Sequence, residues 1–346
     1  PVLHSLASAS TITWLIHQKF ELSIPLYRQE KEWEALGLRL SRATMSNWLL
    51  VVYRDWLVHI VHRLKLELLK QRYLHIDETH VQVLKEPGRK NTSDSYMWVY
   101  CSIRDAVNPI RYFEYQPGRS GKYPEAFLRE YEGYIHTDAY SGYNAVSGVK
   151  RCLCYTHLRR AFVDALPKDI HNSEVSKPAE AILRLNQLFN IESELEALPP
   201  DQKKKERLIR EKPLLEAFWS WAEKSAIGEL PKSKLSKAFH YALNNREGFW
   251  NYLEDGNCSI SNSLAENCIR PFVIGRKNWL FSGSPKGAEA SAGIYTLVET
   301  AKANGLAPMK YIKYILSDMP GSAFLEHPEY LDDYLPWNPL VKEFCR

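Results

Sequence analysis

Residues 73–83, YLHIDETHVQV, alternate apolar and polar as a strand does, yet the middle carries Asp77 and Glu78 with His75 and His80 around them. Asp is depleted in strands, and a buried carboxylate is costly unless it is paired or holds a metal. Two further acids stand at comparable places: Asp138 in HTDAYSGY, where a later strand should end, and Glu266 in ISNSLAEN, where a helix should begin. Three acids gathered at one point would repel and raise each other's pKa. Paired divalent cations remove that repulsion, and hard oxygen donors suit Mg²⁺ or Mn²⁺. Two such ions, about 4 Å apart, activate an attacking oxygen and stabilise a leaving one in phosphodiester displacement.

Each acid also has a purely structural reading. Asp77 could pair with a lysine or sit at an exposed edge. Asp138 could cap a turn. Ser263-Leu264-Ala265-Glu266 matches a capping box. His75-x-Asp77 and His136-x-Asp138 each put two ligand types on one strand face, the pattern of a different metallohydrolase. Cys152-x-Cys154 followed by His157 is a fragment of a zinc pattern without its second pair, so zinc is not expected. The six cysteines lack a C-x-x-C pair or a dense framework and read as free thiols of a reducing compartment.

The elements that must position these residues follow from periodicity. Residues 1–72 read as helical. Ser8 or Ser10 caps a helix towards Phe20, a second helix runs from Leu26 to Leu36 and stops at Gly37, and Ser41 caps a long third one. Its apolar stripe is Met45, Trp48, Leu49, Val52, Trp56, Ile60 and Leu64. Helix, glycine turn, capped helix resembles a helix-turn-helix, in which Arg39, Arg42, Thr44, Ser46 and Asn47 would face DNA. The alternative is a helical hairpin for packing or dimerisation.

From residue 73 the period shortens to two. Strands are expected at 73–84, 96–103, 109–115, over YIHT before Asp138, and over VKRCLC, with helices at 122–131, near YSGYNAV and at 156–166. Residues 167–255 read as an inserted helical block, in which DQKKKERLIREK is a solvated helix face. Helices follow near 286–304 and 308–317, then an acidic, proline-rich tail wrapping the surface.

At 346 residues the chain has ample length for a core. No run approaches the ~18 apolar residues of a membrane span, and no secretory signal is visible. Residues 1–72 hold 10 basic and 6 acidic side chains (+4), 73–255 hold 26 of each, 256–316 hold 7 and 3 (+4), and 317–346 hold 2 and 6 (−4). Two basic regions flanking a neutral middle fit a polyanion touched at two places.

The stretches IPLYRQEKEWEALGLRLSRATMSNWL, HIDETHVQVL, PGRSGKYPEAFL, GYIHTDAYSGYN, CLCYTHLRRAFVDAL and SLAENCIRPFVIGRKNWLFSGSPKGAEASAGIYTLVETA, in this order, resemble the insertion-sequence-66 family of bacterial DDE transposases. The resemblance implies a ribonuclease H-like mixed five-stranded sheet with flanking helices, an all-α N-terminal region and an α-helical insertion before the last catalytic helix. The divisions would be 1–72 (helical, helix-turn-helix), 73–166 (first part of the core), 167–255 (insertion), 256–318 (second part) and 319–346 (tail).

It also implies that Asp77, Asp138 and Glu266 are the catalytic, metal-holding acids. They stand 61 residues (77 to 138) and 128 residues (138 to 266) apart. The implied chemistry is cleavage at transposon ends followed by strand transfer into target DNA. Arg270, Arg276, Lys277 and Lys286 would hold backbone phosphates, Arg159 and Arg160 would line the DNA channel, and Trp279 would stack on an unpaired base or sit in the core. Implied partners are transposon-end and target DNA, a second copy of the chain or a higher multimer, and accessory proteins of the same element. The expected setting is the bacterial cytoplasm and nucleoid, with no membrane.

Two other functions stand beside it: a structure-selective nuclease of the same fold, which would cut DNA without joining ends, and a DNA-binding protein without catalysis that uses the helical N-terminus alone. Ser261 and Ser263 stand where the family commonly shows Asp and Asn. Family members carry further N-terminal sequence with a small zinc-binding module, so end recognition is expected to be incomplete in this chain.

Overall fold

A computed structural model describes residues 1–2, 5, 7–167 and 176–346. Residues 3, 4, 6 and 168–175, within the expected helical region and insertion, lie outside the described residues.

Helix α1 (Ala9–Ile16) is capped by Ser8, whose hydroxyl accepts from Thr11 N–H, and continues as a π-helical turn, His17–Glu21. Helix α2 (Leu26–Ala35) ends before Gly37, whose φ of 85° is the left-handed conformation glycine supplies after a helix. Helix α3 (Arg42–Val52) is capped by Ser41, and a π turn over Tyr53–Leu57 joins it to α4 (Val58–Leu69). That turn shifts the stripe: Met45, Leu49, Val52, Ile60 and Leu64 are buried as expected, but Leu57 takes the buried place expected for Trp56. A wider turn sets the following side chains back by about one residue.

Strands β1 (Tyr73–Val83), β2 (Asp94–Ser102) and β3 (Arg111–Gln116) follow, then α5 (Lys122–Phe127), β4 (Gly133–Thr137), a 3₁₀ turn (Ser141–Ala145), β5 (Val149–Leu153) and α6 (Tyr155–Val163). The block expected as an insertion holds α7 (Lys177–Glu194), α8 (Pro200–Ala226), α9 (Lys234–Asn244) and α10 (Arg246–Trp250). Last come α11 (Ser263–Trp279), β6 (Phe281–Ser282), α12 (Pro285–Ala303), α13 (Pro308–Asp318) and α14 (Pro339–Cys345). The described strands form a six-stranded mixed sheet, one strand more than expected. The extra strand, β6, is two residues long, too short for periodicity to announce.

The chain forms two compact units, and β1 contributes to both. Unit 1 comprises residues 1–71, 75–123 and 264–346. In it β2 lies between β3 and β1, antiparallel to β3, and β6 pairs in parallel with the end of β1, Val83 against Ser282. Helix α12 covers the edge at β3. Thr296 Oγ1 accepts from Phe113 N–H (2.8 Å) and Thr300 Oγ1 from Arg111 N–H (3.0 Å), so edge donors that would invite another strand are satisfied. A Cβ on Gly293 would fall 2.1 Å from the Tyr53 ring, so the π turn packs on α12 only because that position is glycine. The tail docks on the same unit, with Arg63 on Asp332 and Val341 and Cys345 fully buried.

Unit 2 comprises residues 72–74 and 124–263. The start of β1 lies beside β4, with Tyr134 N–H donating to Arg72 O, and β4 pairs in parallel with β5. Its core joins β4, β5 and α6 to α7–α10 through Leu158, Phe162, Leu185, Phe218, Trp219 and Phe249. Part of DQKKKERLIREK contradicts expectation: Arg207 and Glu211 are fully buried while Ile209 is 68% exposed. The polar face is the inner one because that core offers it partners, described below.

Candidate active site

Asp77 sits mid-strand in β1 and is half-buried, following Leu74 and Ile76, which are fully buried. Its Oδ1 accepts from the next backbone N–H, that of Glu78, at 2.9 Å. Asp77 also bears electrostatically on the Cys101 thiol, which is hydrogen-bonded to Cys268, two residues past Glu266. Further along, Arg276 donates to Thr79 Oγ1 at 3.0 Å. Helix α11 is therefore laid along β1 in unit 1, on the strand face that Asp77 shares with Thr79.

Helix α11 opens on Ser263 and carries Glu266 in its first turn. Glu266 Oε1 is shielded from solvent.

Asp138 follows the last residue of β4, in unit 2. Its Oδ1 accepts from Tyr140 N–H at 2.9 Å, so the turn-capping reading holds. The stem is fixed from behind. Arg151 donates through Nε to Thr137 Oγ1 (2.7 Å) and through Nη2 to the carbonyls of Asp138 (2.6 Å) and Tyr140 (2.8 Å). Arg151 was missed by sequence reasoning, although a lone Arg in a short strand two residues before Leu153 was visible.

The other candidate ligands are engaged elsewhere. The Glu78 side chain is buried and paired with Arg119 at 2.6 Å. His136 Nε2 accepts from Ser259 N–H (2.9 Å), so Nδ1 carries the proton and donates to Leu74 O (3.1 Å). That leaves no lone pair for a metal, although His136, Cys152 and Cys258 lie close together and are buried. Cys152 groups with His136 and Cys258, while Cys154 lies past the end of β5 and bonds to His157 and Asn262, so the two cysteines do not share one zinc cluster as their spacing suggested. Burial pushes the Cys154 thiol up, but hydrogen bonds from His157 and from Asn262 N–H outweigh it and hold it below its ordinary value. All six cysteines are free and buried.

Among the expected DNA contacts, Arg39, Arg42, Asn47, Arg160, Arg270, Lys277 and Lys286 are exposed. Arg276 is half-buried, and burial lowers its guanidinium pKa. Arg159 is tied to Asn186 of α7 at 2.7 Å, an anchor within unit 2. Trp279 belongs to the packing: it lies over Gly275, where a Cβ would come within 2.2 Å, and beside Tyr295. Lys19 was also missed. The buried residues Ile12, Leu15, Ile16 and Phe20 place it on the apolar face of its helix, and a lysine there was the available signal.

A sequence model described as "Transposase IS66 family" matches residues 4–290. Three uncharacterized proteins of Sinorhizobium fredii (strain NBRC 101917 / NGR234), y4qI, y4hP and y4jD, are 28%, 26% and 25% identical over 94%, 93% and 96% of this chain. The chain spans 62%, 60% and 66% of those relatives' own lengths. No solved structure matches it. With five-sixths of its length matched, all three acids included, the chain belongs to the IS66 family of transposases.

Proposed function

We propose that the protein is a DNA transposase with a ribonuclease H-like core, in which Asp77, Asp138 and Glu266 together hold two divalent ions. The observation that carries this reading is the family match, which runs through all three positions. The donor set fits Mg²⁺ or Mn²⁺: three carboxylates offer hard oxygens, while both ring nitrogens of His136, on the strand that carries Asp138, are engaged by the backbone. When bound, the ions would neutralise charge on the scissile phosphodiester and polarise its attacking and leaving oxygens.

The chain's own residues do the positioning. Arg151 and Tyr140 fix the direction in which Asp138 leaves β4. Arg119 neutralises Glu78, so the acid next to Asp77 does not compete for the ions. Exposed Arg270, Lys277 and Lys286 suit backbone phosphates, contacts that set register rather than sequence. Helices α2 and α3 with their turn present Arg39, Arg42 and Asn47 as a helix-turn-helix would. The reaction class is hydrolysis at a transposon end followed by attack of the freed 3′-hydroxyl on target DNA.

A strand-transfer assay on candidate end DNA with Mg²⁺ or Mn²⁺ tests this. The intact chain should give cleaved and joined products. Asp138→Ala should lose more than the roughly 10–100-fold typical of an outer-shell partner. Equal product from both would remove Asp138 from the site, and cleavage without joining would make the protein a nuclease.

A further inference from the structure

Unit 1 contains a cavity of about 100 Å³ whose lining includes Lys19, Ser46, Trp279, Phe281, Ser282 and Ser291. The described lining comes from both basic stretches of the sequence, 1–72 and 256–316, and among the described residues includes no acidic one. Lys19 is the sole charged group among the described lining residues. Its Nζ lies 5.0 Å from the centre of the Phe20 ring and 5.4 Å from that of Trp279, and no ion pair to it occurs among the described residues. Ring faces attract a cation but accept none of its three hydrogen bonds.

Two features of the backbone bear on the same place. Lys19 stands in the π-helical turn His17–Glu21, a geometry found often at functional sites. The lining also includes Gly287, Ala290 and Ser291 of α12, and Gly287 lies in the first turn, the positive end of the helix dipole, which favours an anion. Hydroxyls of Ser46, Ser282 and Ser291 add donors of the kind that surround phosphate oxygens.

We infer that this cavity is an oxyanion site, in which Lys19 and the serine hydroxyls take one phosphate group of a nucleic-acid strand. The inference rests on the DNA-acting reading above for the source of the phosphate, and on the cavity itself for the chemistry. Burial lowers the Lys19 amine to about 8, and a bound anion would raise it again.

The test uses the full chain in EDTA, so that metal-dependent catalysis plays no part. Anisotropy of a fluorescent single-stranded oligonucleotide at low salt is measured for the parent, Lys19→Met, Lys19→Arg and Ser291→Leu, which fills the cavity and leaves the lysine. Inorganic phosphate competes against chloride of equal ionic strength. Lys19→Met and Ser291→Leu should bind at least about tenfold more weakly, Lys19→Arg should retain part of the affinity, and phosphate should displace the strand.

Thermal melts establish that each variant is folded, and Lys19→Met should melt no lower than the parent. Equal oligonucleotide binding by parent, Lys19→Met and Ser291→Leu overturns the inference, as does no binding by any of them. Phosphate binding that depends on Lys19 without any effect on the strand overturns the nucleic-acid source and leaves a small-anion site. Loss of strand transfer in Asp138→Ala with Lys19-dependent binding intact would separate this site from the catalytic reading.

Discussion

Arg207 in unit 2 and Lys19 in unit 1 are both cations withdrawn from water, and they are treated oppositely. Arg207 uses all five of its donors. Nε and Nη2 reach Glu192 at 2.6 and 2.8 Å, Nη1 reaches the carbonyls of Tyr252 (3.2 Å) and Asp255 (3.1 Å), and Nη2 also reaches that of Cys258 (2.8 Å). Lys19 meets two ring faces and no carboxylate. A buried charge with every donor matched is scaffold: Arg207 fastens α7 and α8 to the segment 252–258. A buried charge left without a counter-ion costs stability and points to a ligand.

The largest effect should come from breaking the matched charge. Arg207→Met would leave Glu192 to Lys203, 3.9 Å away, and strand three carbonyls, and removal of one partner of a buried pair costs about 3–5 kcal/mol. Hydrogen exchange should show α7 and α8 amides opening faster, while the Phe113 amide in unit 1 keeps its protection. A loss under about 1 kcal/mol would mean that Arg207 counts for no more than a surface pair, and the contrast with Lys19 would collapse.

The same network yields a pH dependence. Glu211 is fully buried, its Oε2 accepts from Tyr252 O–H at 2.6 Å, and its Oε1 has no hydrogen-bond partner among the described residues. Burial, reinforced by the Glu192 charge, pushes its pKa up to about 8. The folded state thus keeps a proton that the unfolded chain releases near its ordinary value of 4.5. The stabilisation is present below 4.5 and is lost as pH rises through 8, at up to about 1.4 kcal/mol per pH unit between. Glu211→Gln, a neutral isostere, should flatten urea-derived stability across that window and stabilise the protein at pH 8. An unchanged slope would show that Glu211 is ionised in the fold.

How these charges read in the sequence explains what was legible. Strands β1, β2 and β3 could be placed because side chains alternate over six or more residues and Pro-Gly marks a turn. Gly37 and Ser41 gave helix ends because their backbone roles are local. Asp77 stood out because an acid contradicts the strand around it. Tertiary partners are not local: KKKERLIREK looks solvated until Glu192, Tyr252 and Cys258 arrive from up to about 50 residues away and turn Arg207 inward. The π turns were illegible for a related reason, since the shift from Trp56 to Leu57 is fixed by Tyr53 packing on Gly293, some 240 residues later. Of the site, Asp77 and Asp138 were visible as residues, but Arg151, which holds the Asp138 stem, shows its role only once β4 and β5 are paired.

The smallest effect sharpens the comparison from the other side. Lys19 is half-buried, yet its amine is surrounded closely enough to lower its pKa from 10.5 to about 8. Lys19→Met should therefore stabilise the protein, by about 1–2 kcal/mol at pH 7 once that partial solvation is allowed for. The sign of its pH dependence opposes that of Glu211. The unfolded chain holds this proton more tightly than the folded one, so the penalty is full below 8 and fades as pH rises to 10.5. The gain from Lys19→Met should shrink over the same interval in parallel urea titrations. A lysine whose removal stabilises the fold and weakens oligonucleotide binding would be one kept at a cost for its ligand. A variant less stable than the parent would show instead that the ring faces alone satisfy the ammonium, and Lys19 would join Arg207 as scaffold.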